Sequence, residues 1–339
     1  MKNKIIIIAA VVIAIVGTVF FWQQKLKKDI KQEQQAEQNK VQLPAINGVL
    51  VDESVAKTRP IAVVVENHGN ARPQSGLTDA DIVYETLAEG GITRFLALFQ
   101  TRNAKEIGPI RSARPYFNTL TDNWGAVYAH VGGSTQALTE LSSNVHKKLE
   151  DVNQFFYGDY FYRSKERFAP HNAYTSIELL RGLVKEKKWE QWAPVKFAEY
   201  AVVPTSELQT TISEITIKFF DANYAVVFTY DPSTNSYKRT NGGKPAIDKN
   251  NDLQISPMNV LVQFVEDYSV PLETVTGLGL RLGKSGRTVL FSNGTATNGN
   301  WSYTNKETVY TTADNKPLTL VAGQTWIILM PKSLTNQVM

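Results

Sequence analysis

The chain of 339 residues contains no cysteine and carries a formal net charge of +4. The missing thiols exclude disulfides, thiolate metal sites, a cysteine nucleophile and a lipid carried on an N-terminal cysteine. Residues 1–40 hold seven lysines against three acids and so carry the whole excess, while the remainder balances at 29 basic and 29 acidic residues; this removes the electrostatic case for a nucleic-acid partner.

Residues 5–22 form an uncharged run long enough to cross a bilayer as one helix. Lys2 and Lys4 precede it and Lys25, Lys27 and Lys28 follow it, so lysine balance does not set the orientation. A cleaved secretory signal has a shorter apolar core and a small-residue cleavage site, whereas Phe20, Phe21 and Trp22 lead straight into lysines. An uncleaved transmembrane signal anchor is therefore expected over residues 1–28, with the remaining chain outside the cytoplasm. Residues 29–56 are polar, Gln-rich and short of aromatics, and read as a stalk that cannot bury enough apolar surface to fold alone.

Beyond the stalk an α+β architecture is expected, with a mixed α/β domain over residues 57–200 and a mainly β domain over 201–339. Apolar runs predict strands near 61–65, 82–86, 94–100 and 126–131. Ser134 can cap a helix running through Leu141, and Ser176 another whose Leu179, Leu180 and Leu183 lie near one face. His146 reads as a surface helix residue. From residue 201 the pattern turns to strand-length runs, ITIKFF, AVVFTYD, MNVLVQFV, RTVLF, LTLVAG and TWIILMP. They are separated by turn pairs such as Asn241-Gly242, Asn293-Gly294 and Asn298-Gly299.

Chemically suggestive residues concentrate between Arg59 and Phe117. Arg59, Arg72, Arg94, Arg102, Arg111 and Arg114 alternate there with apolar runs and with Asp79, Asp81, Glu85 and Glu89. Gly108-Pro109 turns the chain before Arg111 and Arg114, and Pro115 suits a first helical turn, so both arginines can converge at an anion-friendly helix N-terminus with Arg94. The alternative is that these arginines are internal bridges to the nearby acids. Glu85 and Glu89, flanking Gly90-Gly91, are candidate acid and base residues, as is Glu66 at the end of the first strand. His68, His130 and His171 each end or follow an apolar segment and can line one rim, but no histidine spacing matches a metal motif, and no metal site is expected. The amides of Gly132-Gly133-Ser134 ahead of a helix form a second candidate anion loop. Aromatics from Phe155 to Tyr162 offer stacking surfaces for sugar rings, or ordinary packing. Gly283-Lys284-Ser285 and Ser54-Val55-Ala56-Lys57 imitate phosphate-loop and S-x-x-K motifs without their context.

The strings RPIAVVVENH, ARPQSGL, ADIVYETLAEGGITRF, IGPIRSARPYF and APHNAYTS, with looser matches over 228–330, resemble the YerB-like lipoprotein family of bacteria, a domain of unknown function. That resemblance implies a cell-envelope location and a two-domain layout, without a catalytic assignment. Many members carry a lipidated cysteine, for which the span at 5–22 substitutes here. A fainter likeness, through ADIVYETLAEGGITRFLALF, IRSAR and AVYAHVGGSTQALTEL, is to the LytR-CpsA-Psr cell-wall phosphotransferases. It implies phosphates held by Arg94, Arg111 and Arg114 and a magnesium ion seated by Asp81 or Glu85, although Ser112 stands where that family has an aspartate. No other cofactor is expected. The combined expectation is a membrane-anchored envelope protein that binds peptidoglycan or another anionic or glycan wall component. The alternatives are a wall enzyme, either a phosphotransferase acting on lipid-linked precursors or a glycan-cleaving enzyme, and a non-catalytic partner-binding module.

Overall fold

The computed structural model describes residues 21–28, 30–31, 41–143, 145–201, 211–219, 221–271, 276–304 and 307–338. Most of the apolar run at 5–22 lies outside these residues; among those described, no helix is long and apolar enough to cross a membrane. The chain divides into two compact units, Met1–Leu43 and Pro44–Met339. In the first, residues 21–28 are helical with exposed side chains. Residues 45–47, read from sequence as stalk, are buried in the second unit. Asn47 donates to Asp81 at 2.6 Å and the Ile46 amide to Gln100 at 2.9 Å.

Among the described residues of the second unit, ten strands form one mixed sheet. In chain order they are β1 (Ile61–Glu66), β2 (Ile82–Leu87), β3 (Thr93–Phe99), β4 (Val127–His130), β5 (Glu150–Asn153), β6 (Asn259–Val265), β7 (Ser285–Ser292), β8 (Thr295–Thr304), β9 (Glu307–Thr312) and β10 (Thr325–Pro331). The order across the sheet is β9-β8-β7-β6-β10-β2-β3-β1-β4-β5. The boundary expected at residue 200 therefore does not separate two sheets. β10 runs parallel to β2, with Thr325 opposite Ile82 and Ile328 opposite Glu85, so the late strands extend the early ones. The central strands explain why: every residue of β1, β2, β3, β6 and β10 is buried. Strands buried on both faces must be flanked by others and covered above and below.

On one face lie the helices α1 (Pro115–Trp124) and α2 (Thr135–Ser142), which pack Tyr116, Phe117, Leu120 and Ala137 over Ala62, Val64, Leu96 and Leu98. On the other lie the helix α3 (Ile177–Lys187) and a four-stranded sheet built on Val226–Asp231 and Ser236–Asn241. Their Leu180, Val226 and Phe228 join Val63, Val83, Phe95 and Trp326. The caps follow the expected chemistry: the Ser134 hydroxyl accepts from the Ala137 amide at 3.3 Å, and that of Ser176 from Leu179 at 3.1 Å. Pro115 opens α1, and Gly125, at φ +58, ends it in the left-handed conformation.

Candidate functional site

The period-2 alternation of the strands sorts the charged residues between the two faces of the sheet. Glu66 closes β1 on the side of Ala62 and Val64, and lies directly opposite Arg94 of β3. The segment 107–114 pairs alongside the end of β1, with Ile110 opposite Val65. Arg111 donates its amide to Val64 at 3.0 Å and receives the Val131 amide on its carbonyl at 3.0 Å, while Ala113 pairs with Gly132 and Ser134. This stitching places Arg94, Arg111, Arg114, Gly132, Gly133 and Ser134 at one end of the sheet.

The three arginines share two carboxylates, and they share them unequally. Arg114 caps α1 and grips Glu89 with two nitrogens, the second at 2.5 Å, and its third donates to the Ala113 carbonyl at 2.6 Å. Arg94 approaches the same Glu89 at 3.5 Å and donates to the Ser112 carbonyl at 3.0 Å. Burial and then the charge of Arg114 bring the Arg94 pKa down to about 10. Burial opposes ionisation of Glu89, but the Arg114 hydrogen bond and charge outweigh it and hold the carboxyl below its ordinary value. Arg111 differs from both. Its Nε lies 3.1 Å from Glu66 but off the hydrogen-bond line, and is shut from solvent without a hydrogen-bond partner. Its side chain is 28% exposed, against 10% and 12% for Arg94 and Arg114.

Glu66 also receives His171, Nδ1 to carboxylate at 2.9 Å, and His68 stacks on His171 with centroids 4.7 Å apart. Two of the three histidines assigned to a rim therefore meet. His130 does not join them: it is fully buried at the end of β4, between the Gly132 carbonyl at 2.7 Å and Asp151 at 2.6 Å, and it shapes the glycine loop from beneath. His146 is not helical; it follows α2 and sits half-buried against Glu140 and Asp122.

At the Arg114 end a cleft of about 480 Å³ opens between the N-termini of α1 and α2 and a hairpin of Asp267–Pro271 and Thr276–Leu280. Glu89, Arg114, Tyr116 and Ser134 line one wall, and Tyr268, Val270 and Leu278 the other. Two helix N-termini at one opening favour negative charge.

The proposed pairing of Glu85 with Glu89 is not assembled. Glu85 lies on the opposite face of the sheet with Val83 and Leu87, fully buried, receiving Arg239 at 2.9 and 3.0 Å, Trp326 Nε1 at 2.8 Å and Thr93 at 3.0 Å. The sheet stands between the two carboxylates. Asp81 precedes β2, at the end away from Glu89, and its oxygens are taken by Asn47, Thr101 and the Gln100 amide. With their lone pairs engaged, neither Asp81 nor Glu85 fits the magnesium role implied by the phosphotransferase likeness. Among the described residues, no group of three or more His, Cys, Asp or Glu could hold a metal ion. Arg59 is a buried staple bonded to the carbonyls of Gly125 and Lys148, and the exposed Arg102 donates to that of Thr78.

The chain matches, over residues 46–190, the family described as protein of unknown function (DUF3048), N-terminal domain, and over 215–327 its C-terminal domain. It is 32% identical over 289 residues to "Putative lipoprotein YerB" of Bacillus subtilis (strain 168), covering 84% of this chain and 85% of that protein. The chain belongs to the DUF3048 family. The crystal structure of YerB from Bacillus subtilis superposes with a TM-score of 0.78 at 30% identity, over 88% of this chain and 99% of that one. The N-terminal DUF3048 segment contributes all of the Glu66, Arg94, Arg111, Arg114 and His171 group, while the C-terminal segment supplies the hairpin wall of the cleft and the Arg239 that neutralises Glu85.

Proposed function

We propose that this DUF3048 protein is a membrane-anchored, extracytoplasmic cell-envelope protein whose body binds an anionic group of a wall component at Arg111. One observation carries the reading: Arg111 is partly exposed and its guanidinium donates no hydrogen bond within the described residues, whereas Arg94 and Arg114 are spent on carbonyls and Glu89. A guanidinium fork offers paired donors to a carboxylate or phosphate. With three arginines against Glu66 and Glu89, the field there stays positive. The relative's name, a lipoprotein, supports an envelope location. Without a cysteine to bear a lipid, the run at 5–22 supplies the anchor.

The test is binding of purified wall polymer and lipid-linked precursor to the full chain. Arg111→Gln is expected to weaken binding about tenfold, the loss of one charge-assisted pair, read on a variant shown by circular dichroism to keep the parent fold. Equal affinity of parent and variant overturns the assignment. Protection of the body from protease added to intact cells overturns the location.

A second reading is favoured by the Glu66 to His171 contact. A carboxylate on Nδ1 orients the imidazole and leaves Nε2 available, an arrangement suited to general acid–base work. Turnover of the bound component, lost in His171→Ala, identifies a wall enzyme; binding without turnover in the parent eliminates it.

A further inference from the structure

On the far side of the sheet from Arg111, Arg239 makes a second arrangement that the function above does not use. It is 1% exposed, sandwiched with its guanidinium carbon 4.8 Å from the Trp326 ring centroid and 5.4 Å from that of Phe95, with Glu85 as its counter-ion. Its Nε is buried and has no hydrogen-bond partner. Arg239 lines a cleft of about 420 Å³ between the two DUF3048 segments, together with Arg72, Gln74, Asn241 and Lys244.

Arg72 is held rigidly and is not neutralised. Its nitrogens donate to the side chain and carbonyl of Asn67 and to the Asn223 carbonyl, each at 3.0 Å, and its guanidinium carbon stands 4.9 Å from the Tyr224 ring centroid. All of these acceptors are uncharged. Asp221 lies near enough to favour its charge, but uses one carboxylate oxygen to cap the turn at Asn223 and does not line the cleft. Burial, and next the charge of Arg239, lower the Arg72 pKa, as two nearby cations with too little negative charge between them must do. Lys244 is exposed and, among the described residues, makes no ion pair. The turn that returns it to the cleft requires Gly242: at φ +58, a Cβ there would stand 2.7 Å from the Asn223 carbonyl.

We infer that this cleft is a second binding site, for an oxyanion, carboxylate or phosphate, held between Arg72, Arg239 and Lys244 and bridging the two segments of the fold. Three cations set against buried Glu85, with Asp221 outside the lining, leave the opening electropositive, and an oxyanion there meets the guanidinium and ammonium groups of its wall. Pro73, Pro245 and Ile247 give the cleft an apolar wall suited to the body that carries the anion.

The experiment uses the full chain carrying Arg111→Gln, so that the site proposed above is removed and its failure cannot be mistaken for this one. Pyrophosphate and citrate are titrated separately by calorimetry, and the tighter of the two assigns the anion class. Saturable binding is expected with at least one of them. Adding Arg72→Gln should weaken it about tenfold and adding Lys244→Gln about threefold, in line with the loss of charge-assisted contacts. If Arg72→Gln fails to fold, the exposed Lys244→Glu decides, with an expected loss of more than about tenfold. Absence of saturable binding to both probes, or binding unchanged in the added variants, overturns the inference.

Discussion

Glu85 and Glu89 stand four residues apart and were equal candidates on sequence, yet their surroundings give them opposite work. Glu85 is a fully buried anion whose oxygens are occupied by Arg239, Trp326 and Thr93. Removing one partner of such a pair leaves the other charge uncompensated, so Glu85→Gln should cost about 3–5 kcal/mol in urea unfolding. Replacing both, as Glu85→Leu with Arg239→Met, should recover most of the loss; a double variant no better than the single one would refute this view of the pair. Glu89 is one-quarter exposed, at 25%, and works by titration. Its folded pKa lies below the ordinary value, so its contribution is complete above the usual glutamate range and is lost as pH falls through the lowered value. Acid unfolding of Glu89→Gln should therefore show a shallower pH dependence than the parent, read as Tm between neutrality and the acid limb. Residue type made both glutamates conspicuous. Their roles were not legible, because the partner of Glu85 lies 154 residues away and Arg239 looks like any polar residue of a strand.

At the scale of elements, the helices α1 and α2 present their N-termini to the cleft, and their far ends are joined through His146. Its ring lies 3.9 Å from Asp122 of α1 and 3.5 Å from Glu140 of α2. Burial works against the charged ring, but the Asp122 contact, then that of Glu140, raise its pKa above the ordinary value. A raised histidine stabilises fully below the unfolded value of about 6.5 and ceases to do so as pH rises through the folded value. The Tm of the parent should decline as pH rises from about 6.5 through the raised folded value, and His146→Gln should abolish this decline; an unchanged profile in the variant would remove the histidine from the joint. The caps at Ser134 and Ser176 and the Pro115 start were readable locally, since a cap needs only the residues of its own first turn. His146 was misread as helical because nothing in its neighbours states that it spans two helices.

For the whole molecule, the decisive pairing is that of β10 with β2. It joins residues on either side of the gap between the two DUF3048 segments into one sheet whose central strands are buried throughout. Residues 44–200 alone would expose the edge of β2 that β10 covers, together with the apolar faces under the four-stranded sheet. That fragment is expected to lack a cooperative thermal transition, whereas residues 44–339 should unfold in one; a two-step melt of the longer chain would show separable domains. The sequence by itself determined the central strands at 61–66, 82–87, 93–99, 259–265 and 325–331, where the helices begin, that the body is electrically neutral and that its arginines concentrate before residue 117, because periodicity, capping and composition are local properties. Tertiary structure alone decided that two segments share one sheet, that Glu85 and Glu89 face away from each other, and that Arg94 and Arg114 meet at Glu89 while Arg111 pairs with Glu66. Those outcomes depend on which partners arrive from distant parts of the chain, and the pattern of a strand specifies which side a residue faces without specifying what will meet it there.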